Sequence, residues 1–331
     1  MTHRPFVPLV ALASAGLIVL AGCSADATGD GGSGGASVDG DASPSFAIDQ
    51  DFPDPDVIDV DGLYYAYATN TRAANVQYAT SPDLKTWTVS LDDVFPELPA
   101  WAETGRTWAP DVSALPDGRY ALYFTAQERE SGRQCIGVAV ANAPIGPFVS
   151  DAPEPLICPV GEGGAIDASS VVDVDGSRYL VWKNDGNCCG LDTWLRLSTL
   201  AADGLAVVGE PVDLVKQTEE WEGDLVEAPV IVRYDDQYAL FYSANDYGGE
   251  NYAMGYALAS SIAGPYTKGD EPLFTTALSG GGALGPGGQD VVAAPDGGDR
   301  IVYHSWDPAF SYRGMIVSAL EWPDGAPVVT P

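Results

Sequence analysis

The chain has 331 residues, 46% of them hydrophobic, which is enough to bury the core of one large domain or two small ones. Its 47 acidic and 15 basic residues give a net charge of −32 at pH 7. A surface with this charge repels nucleic acid and anionic membranes, so neither is expected as a partner of the folded domain. The same surface is compatible with a neutral substrate.

The N terminus has the pattern of a bacterial lipoprotein leader. A short polar stretch precedes an apolar run at residues 6–20, which has the length of a secretory signal and is short for a membrane span. The segment "LAGC" at 20–23 resembles a lipobox, which implies cleavage before Cys23 and lipidation of its thiol. The alternative is an ordinary secretory signal with an incidental cysteine. We therefore expect a signal peptide at 1–22 and anchorage on the extracellular face of the cell membrane.

The next segment is predicted to be a flexible tether. From Ser24 to about Ser45 the sequence consists mainly of Gly, Ser, Ala and Asp and contains no aromatic residue. Such a composition cannot bury enough apolar surface to fold. The interpretation is a lipidated cysteine and linker at 23–46 followed by one folded domain at 47–331.

Four cysteines follow the lipobox: Cys135, Cys158, Cys188 and Cys189. An exported location permits disulfides, and four cysteines allow three pairings. Adjacent cysteines do not easily bridge each other, so Cys188 and Cys189 are each expected to have a distant partner, with Cys135–Cys158 the favoured pair. Zinc is not expected, because CxxC is absent and the mature sequence contains a single histidine, His304.

Five segments repeat one pattern, in which a turn is followed by an aromatic strand and then by a second strand. The turns recur at intervals of 56 to 62 residues and begin at Asp61, Asp117, Asp175, Asp235 and Gly297. No stretch of helical length in the mature part has a convincing 3.6-residue apolar period. Near-constant spacing of several short strands predicts an all-β chain folded as a five-bladed β-propeller. A jelly roll or a sandwich would not need five copies of one unit.

Three of the repeats carry an acidic residue shortly before the turn. Asp54, Asp167 and Glu227 each precede a short apolar run in the same local frame. In a propeller this run is the innermost strand of its blade, so the three carboxylates are expected to converge on one axial pit. The alternative for Asp54, which precedes Pro55, is a turn-capping role, and the same holds for Asp167. Glu227 heads an apolar strand, where a lone acid needs a partner or a role.

The motifs resemble those of the family 43 glycoside hydrolases, five-bladed propellers that act on arabinose- and xylose-containing glycans. The resemblance extends over residues 47–331. In chain order, the motifs that carry it are "DPDV" (54–57), "WAPDV" (108–112), "AIDASSVVDVDG" (165–176), "VEAPVI" (226–231), "GPGGQDVV" (285–292), "YHSW" (303–306) and "YRGMIVSALEWPDGAPVV" (312–329).

The resemblance implies a role for each of the three carboxylates. Asp54 is the general base that activates water, Glu227 is the general acid, and Asp167 raises the pKa of the acid and orients it. Inverting hydrolysis needs one ionised and one protonated carboxylate, about 6.5–9.5 Å apart to admit a water. A third ionised carboxylate beside Glu227 would keep that acid protonated by like-charge repulsion.

Other residues are candidates for substrate binding. Trp108 is a sugar-stacking platform or a blade-packing residue. Asp111 stands in the frame of the catalytic residues in blade two, where the resemblance implies a structural or substrate-proximal role. Arg313 matches an arginine that reaches substrate hydroxyls near the third carboxylate, with a surface ion pair as the alternative. A rim position on the loops of the blades is expected for Trp101, Arg106 and Trp221.

The resemblance also raises the question of a metal ion on the axis. Many members of the family hold calcium through a histidine in "GPGH", whereas this chain reads "GPGGQD" with Gly288 in that place. No cofactor is therefore expected, although Gln289 or His304 could hold a water or an ion. His304 is predicted on the innermost strand of blade five, close enough to the substrate to contact it, or as a hydrogen-bonded core residue.

Together these features predict a lipid-anchored inverting glycoside hydrolase, with an oligo- or polysaccharide such as arabinan or arabinoxylan as its substrate. An exo-acting α-L-arabinofuranosidase is the favoured activity. β-Xylosidase and galactofuranosidase are alternatives with the same mechanism. A non-catalytic glycan-binding lipoprotein is the alternative from another class.

Overall fold

The computed structural model describes residues 45–331, which form five antiparallel sheets arranged as the blades of a propeller. The predicted signal peptide (1–22) and the lipidation site Cys23 lie outside the described residues. Within the described range, no helix has both the length and the apolar character needed to cross a membrane.

Each blade is a meander of strands that follow one another in the sequence, and the first strand of each lies nearest the axis. Blade two has three strands and the other blades have four. In chain order the strands are β1 (Asp56–Val60), β2 (Leu63–Ala68), β3 (Gln77–Ser81), β4 (Thr88–Val89), β5 (Ala102–Ala114), β6 (Tyr120–Glu128), β7 (Gln134–Ala141), β8 (Ala165–Val172), β9 (Arg178–Asn184), β10 (Trp194–Leu200), β11 (Val207–Lys216), β12 (Val226–Tyr234), β13 (Gln237–Ala244), β14 (Ala253–Ala259), β15 (Thr267–Lys268), β16 (Leu284–Ala293), β17 (Asp299–Trp306), β18 (Arg313–Glu321) and β19 (Val328–Thr330).

The prediction of five blades from the repeat is confirmed. The repeated turns join the innermost strand of each blade to its aromatic second strand, as at β1 and β2. One detail of the prediction is wrong. His304 lies on β17, the second strand of blade five, because the strand before the Gly297 turn is β16.

The hydrophobic core lies in five layers, one between each pair of adjacent blades. Between blades one and two, for example, Tyr67 packs with Phe124, and between blades four and five Phe241 packs with Tyr303. Burying side chains of this size contributes about 1.5–3 kcal/mol each. The aromatic second strands are therefore the elements that hold neighbouring blades together.

The ring of blades is closed by the segment that precedes β1. Ile48 forms a bridge with Met315 of β18, and the Phe52 amide donates to the Arg313 carbonyl at 2.8 Å. Pairing with the last blade before entering the first fixes the two ends of the propeller to each other. It also brings Asp54 beside the residues of blade five.

The disulfides agree only in part with expectation. Cys135 is bonded to Cys158, as favoured from the sequence. Cys188 and Cys189 are bonded to each other, so the expectation of a distant partner for each is wrong. The tight turn Gly186–Cys189 places the two neighbouring sulfur atoms together, a local geometry that the sequence alone did not indicate.

Candidate active site

The innermost strands share an irregularity close to the axis. In the paired registers of four of these strands, one extra residue interrupts the ladder: between Ile166 and Ser169 in blade three, for example, three steps along the innermost strand match two steps along its neighbour. Each of these four bulges contains one residue with a left-handed backbone, and in blade one the residue at the matching position, just before β1, has the same backbone. These residues are Asp54 (φ 54°), Ala109 (φ 39°), Asp167 (φ 56°), Ala228 (φ 48°) and Gly288 (φ 57°). The bulge therefore gives Asp54 and Asp167 equivalent positions in the fold.

Each of these positions is supported by a polar side chain on the second strand of the preceding blade or, in the case of Thr69, directly after that strand. Four of the five accept the amide of the left-handed residue, as Thr125 Oγ1 does from Asp167 at 3.1 Å. In the same way, Ser243 Oγ accepts the amide of Gly288 and His304 Nδ1 accepts the amide of Asp54. In register, the five are Thr69, Thr125, Lys183, Ser243 and His304.

Lys183 is the exception, and it brings two of the carboxylates together. Because an ammonium group cannot accept a hydrogen bond, the Ala228 amide donates instead to Asp167 Oδ2 at 2.9 Å. Lys183 Nζ is then free to donate to Glu227 Oε2, also at 2.9 Å. The expectation of one frame for all three acids is thus wrong for Glu227, which precedes the left-handed residue of its blade.

Asp54 is held in its ionised form. Thr69 Oγ1 donates to Asp54 Oδ2 at 2.7 Å, and Arg313 Nη1 lies 3.5 Å from Asp54 Oδ1. Burial alone would raise the pKa of Asp54, but the Arg313 guanidinium and the hydrogen bond from Thr69 lower it well below the usual range. A carboxylate in this state at neutral pH can accept a proton.

Asp167 has the opposite tendency. Burial and the charge of the neighbouring Glu227 raise the pKa of Asp167 to about 8, although Lys183 acts to lower it. The sequence expectation concerned the reverse effect, that of Asp167 on Glu227, and it stays a prediction. With a pKa of about 8, Asp167 keeps its proton at neutral pH and so places a proton beside Glu227.

Glu227 is oriented by two donors. Besides Lys183, the Tyr252 hydroxyl donates to Glu227 Oε1 at 2.8 Å. Tyr252 is itself buried and stacked on His304, with ring centroids 5.8 Å apart. Gly287 makes room for that ring, since a Cβ at this position would lie 2.1 Å from Tyr252 Cε1. Burial raises the pKa of Tyr252, so its hydroxyl remains a donor.

Asp54, Asp167 and Glu227 line one cavity of about 810 Å³, formed by the innermost strands of all five blades. This volume lies in the upper part of the range for small-ligand sites. Trp108 and Arg313, two of the candidates for substrate binding, also line the cavity, and their contact with a sugar stays a prediction. The structure therefore brings the three acids, an aromatic side chain and a guanidinium together on the axis.

Two of the predicted substrate contacts need correction. Asp111 lines the cavity, but in register it matches Asp56 and not Asp54, and its carboxylate accepts both the amide and the hydroxyl of Ser170. His304 is fully buried and does not line the cavity, because it lies beneath Asp54 and Tyr252. Both residues thus contact protein groups.

The remaining predictions concern the rim and Arg313. Arg313 contacts Asp54, the first carboxylate, and stacks over Tyr247 and Trp306, so it is neither a surface ion pair nor adjacent to the third carboxylate. The three residues expected at the rim, Trp101, Arg106 and Trp221, do not line the cavity. Trp101 and Trp221 each pack against an aromatic ring of their own blade.

The residues near the axis do not fit the calcium site considered above. Gln289 uses both atoms of its amide, since Oε1 accepts from Ser243 at 2.7 Å and Nε2 donates to the Ala228 carbonyl at 2.6 Å. A Cβ at Gly288 would lie 2.6 Å from His304 Nδ1, so a histidine there would displace its neighbours. Among residues 45–331, no group of three or more His, Cys, Asp or Glu is placed to hold a metal ion.

Two residues of the site were missed from the sequence: Lys183 and Tyr252. A signal for Lys183 exists, because each aromatic second strand carries one polar residue at the same register within an apolar run. Aligning the five repeats would have shown a lysine where the other blades have Thr, Ser or His. Nothing comparable marks Tyr252, which reaches Glu227 from the position directly before β14.

Comparison with known proteins agrees with this geometry. The profile of the Glycosyl hydrolases family 43 matches residues 47–327. The extracellular endo-α-(1→5)-L-arabinanase 1 of Bacillus subtilis is 25% identical over 296 residues, which cover 83% of this chain and 86% of that protein. The β-D-galactofuranosidase xynD of Aspergillus niger is 26% identical over 270 residues, covering 76% and 73%.

The fold comparison gives the same result. A solved thermostable family-43 glycoside hydrolase superposes with a TM-score of 0.76 at 26% identity, covering 85% of this chain and 93% of that one. The profile match, the propeller and the axial carboxylates lead to one conclusion. The chain belongs to glycosyl hydrolase family 43 and is a glycoside hydrolase.

Proposed function

We propose that this enzyme is an inverting, exo-acting α-L-arabinofuranosidase. Asp54 is the general base, Glu227 is the general acid, and Asp167 tunes and orients the acid. The observation that carries the proposal is the opposite proton affinity of carboxylates that line one cavity: the pKa of Asp54 is lowered and that of Asp167 is raised to about 8.

In the proposed reaction the bond between the anomeric carbon and the glycosidic oxygen breaks. Asp54 removes a proton from a water molecule, whose oxygen attacks the anomeric carbon from the face opposite the leaving group. Glu227 gives its proton to the glycosidic oxygen, and Asp167 limits the loss of that proton to solvent. Asp54 and Glu227 stand on blades one and four, with blade five between them, an arrangement that leaves space for the water.

Arabinose is the sugar that the relatives favour. The Bacillus subtilis protein is named as an arabinanase, and the chain aligns with most of its length. Galactofuranosidase activity is the second candidate, because the Aspergillus niger protein named for it is matched equally well. Both sugars are furanoses, so one pocket shape suits either. β-Xylosidase activity remains a third candidate within the family.

Exo action is supported by the wall of the cavity. Three loops add to the wall on the side of blades three and four: residues 185–188, 223–225 and 245–247. A cavity that is closed on one side suits the end of a glycan chain better than its middle. If the enzyme is exo-acting, linear arabinan should yield arabinose from the earliest time points, whereas an endo enzyme would first release oligosaccharides.

The first experiment is an assay of nitrophenyl α-L-arabinofuranoside, β-D-xyloside and β-D-galactofuranoside side by side. We expect the arabinofuranoside to be hydrolysed with the highest kcat/KM. A higher kcat/KM for another glycoside would change the assigned sugar but not the roles proposed for the three carboxylates. Failure to hydrolyse any of the three, together with binding of an arabino-oligosaccharide, would favour the glycan-binding lipoprotein.

We also propose that the enzyme works at the outer face of the cell membrane, attached through a lipid on Cys23. The support is the lipobox-like sequence, together with relatives named as extracellular. A Cys23→Ser variant should lose lipid labelling and should no longer fractionate with the membrane. Release of the unaltered protein into the medium without a lipid would indicate an ordinary secretory signal instead.

A further inference from the structure

The Cys188–Cys189 disulfide lies in a loop that forms part of the wall of the catalytic cavity. Asp185, Asn187 and Cys188 line this cavity together with the three carboxylates. Both bonded cysteines are exposed, whereas Cys135 of the second disulfide is fully buried. The exposed bond is therefore accessible to a molecule that enters the cavity.

The loop begins next to the acid. Lys183, at the end of β9, places its Nζ 2.9 Å from Glu227 Oε2 and 3.8 Å from Asp185 Oδ1. The turn that carries the two cysteines follows directly after Asp185. One short segment thus links the residue that orients Glu227 to the disulfide.

The backbone of the loop is fixed on both sides. The Asn184 amide group donates to the carbonyls of Glu162 and Asp192, at 3.1 Å in each case. Gly186 is packed so closely that a Cβ would lie 2.2 Å from the Asp192 carbonyl oxygen. A loop held in this way presents its outer atoms in a constant position, as a binding wall requires.

The sulfur atoms are also held from the outside. Arg133 Nη1 lies 3.2 Å from Cys188 Sγ and 2.8 Å from Cys189 Sγ. A bond between neighbouring side chains closes a small ring that removes their rotamer freedom. The ring exposes soft, polarizable sulfur with little affinity for water, a surface that suits the C–H face of a sugar ring.

We propose that the Cys188–Cys189 disulfide is a sugar-binding element of the active site, against which the C–H face of a furanose ring packs. The inference rests on the proposed function only in taking a furanoside as the ligand. In this role the disulfide contributes to binding, while the chemistry belongs to the carboxylates. Its loss should therefore raise KM more than it lowers kcat.

The test compares a double variant, Cys188→Ser with Cys189→Ser, against a matched control, Cys135→Ser with Cys158→Ser. The control removes the buried disulfide and leaves the cavity wall unchanged. With the nitrophenyl arabinofuranoside, we expect KM to rise about tenfold in the first variant with kcat within about twofold of wild type. The control should show a lower melting temperature and an unchanged KM.

A second measurement does not depend on substitution. Reducing the control variant with a phosphine breaks the Cys188–Cys189 bond; one water molecule supplies a hydrogen to each sulfur and its oxygen to the phosphine, which becomes the phosphine oxide. Mass spectrometry counts the two new thiols. KM should rise as in the serine variant, and an unchanged KM in both preparations would overturn the proposal.

Direct binding separates this proposal from the proposed function. Arabinobiose, xylobiose and a galactofuranosyl disaccharide are titrated calorimetrically into Glu227→Gln, with and without the two serine substitutions. If the enzyme hydrolyses another glycoside, the assignment of arabinose fails. Weaker disaccharide binding on loss of the disulfide would still support its role as a sugar-binding element. Equal binding by both proteins, or no binding by either, would contradict the proposal that the disulfide binds the sugar.

Discussion

Two sets of three carboxylates lie on or next to the innermost strands, and their surroundings differ. The catalytic set is Asp54, Asp167 and Glu227. The second set, here called the axial aspartates, consists of Asp56, Asp111 and Asp290. Cations contact the catalytic set, since Arg313 approaches Asp54 and Lys183 approaches Glu227.

The axial aspartates instead connect neighbouring blades. Asp290 accepts the amide of Val57 at 2.8 Å, and Asp56 accepts the amide of Val112 at 2.9 Å. Asp111, in blade two, likewise accepts the amide of Ser170 in blade three. Within the described chain, the groups that shift the pKa values of these three aspartates are other carboxylates and hydrogen-bond donors, with no cation among them.

The difference in partners explains a difference in proton affinity. Burial raises the pKa of Asp111 to about 6 and that of Asp290 to about 7, and repulsion from both adds to the effect of burial at Asp56. In the catalytic set, Arg313 lowers the pKa of Asp54, whereas burial and the charge of Glu227 raise that of Asp167 against the opposing effect of Lys183. Residue type alone therefore does not identify the catalytic acids; their charged neighbours do.

The largest expected effect comes from exchanging the base. Asp54→Asn should lower kcat/KM by about a thousandfold, because the water loses its proton acceptor. The comparison variant is Asp56→Asn, whose amide oxygen can still accept the Val112 amide. We expect a loss of less than about tenfold for it, since it provides no proton acceptor in the reaction. Equal losses in the two variants would remove the distinction between the sets.

Removal of the acid should depend on the leaving group. Glu227→Gln should lower kcat about a hundredfold or more on an arabino-oligosaccharide and much less on a dinitrophenyl arabinofuranoside, whose leaving group needs no proton. Glu222→Gln is the matched control, because Glu222 also contacts a lysine and a tyrosine but does not line the cavity. A similar leaving-group dependence in the control would contradict the assignment.

The lysine beside the acid should set the alkaline limit of activity. Lys183 lowers the pKa of Asp167, so Lys183→Met should raise it and move the alkaline limb of the pH–rate profile upward by about one pH unit. Lys268→Met, which removes the lysine beside Glu222, should leave the limb in place. A downward shift in Lys183→Met would show that the lysine does not act on the proton of the pair.

The smallest effect is on stability. Between pH 4 and the raised pKa of Asp111, about 6, the folded protein holds a proton that the unfolded chain has released, so this residue costs stability as the pH rises. Asp111→Asn should have a free energy of unfolding about 2 kcal/mol higher than that of wild type at pH 8, and this difference should shrink towards pH 4. Urea unfolding of both proteins at pH 4 and pH 8 measures this difference. A difference that grows as the pH falls would contradict the raised pKa of Asp111.

Much of the fold could be predicted from the sequence, because the blades are meanders of adjacent strands and their period is visible in the turns. The convergence of Asp54 and Asp167 followed from the same repeat. The offset of Glu227 could not be predicted, since a bulge changes the register without changing the apolar pattern. Its partner Tyr252 precedes β14 and reaches Glu227 across blade four, which no repeated pattern marks, and the Cys188–Cys189 bond depends on a local turn.

The pH–rate profile of kcat/KM tests the central claim most directly, because it reports the proton states of the free enzyme. The claim is that Asp54 is ionised while Asp167 and Glu227 together keep a proton. We expect activity to stay level from about pH 4 to about pH 7 and to fall with an apparent pKa near the value of about 8 for Asp167. An acid limb near pH 6, or an alkaline limb that Asp167→Asn leaves unchanged, would contradict it.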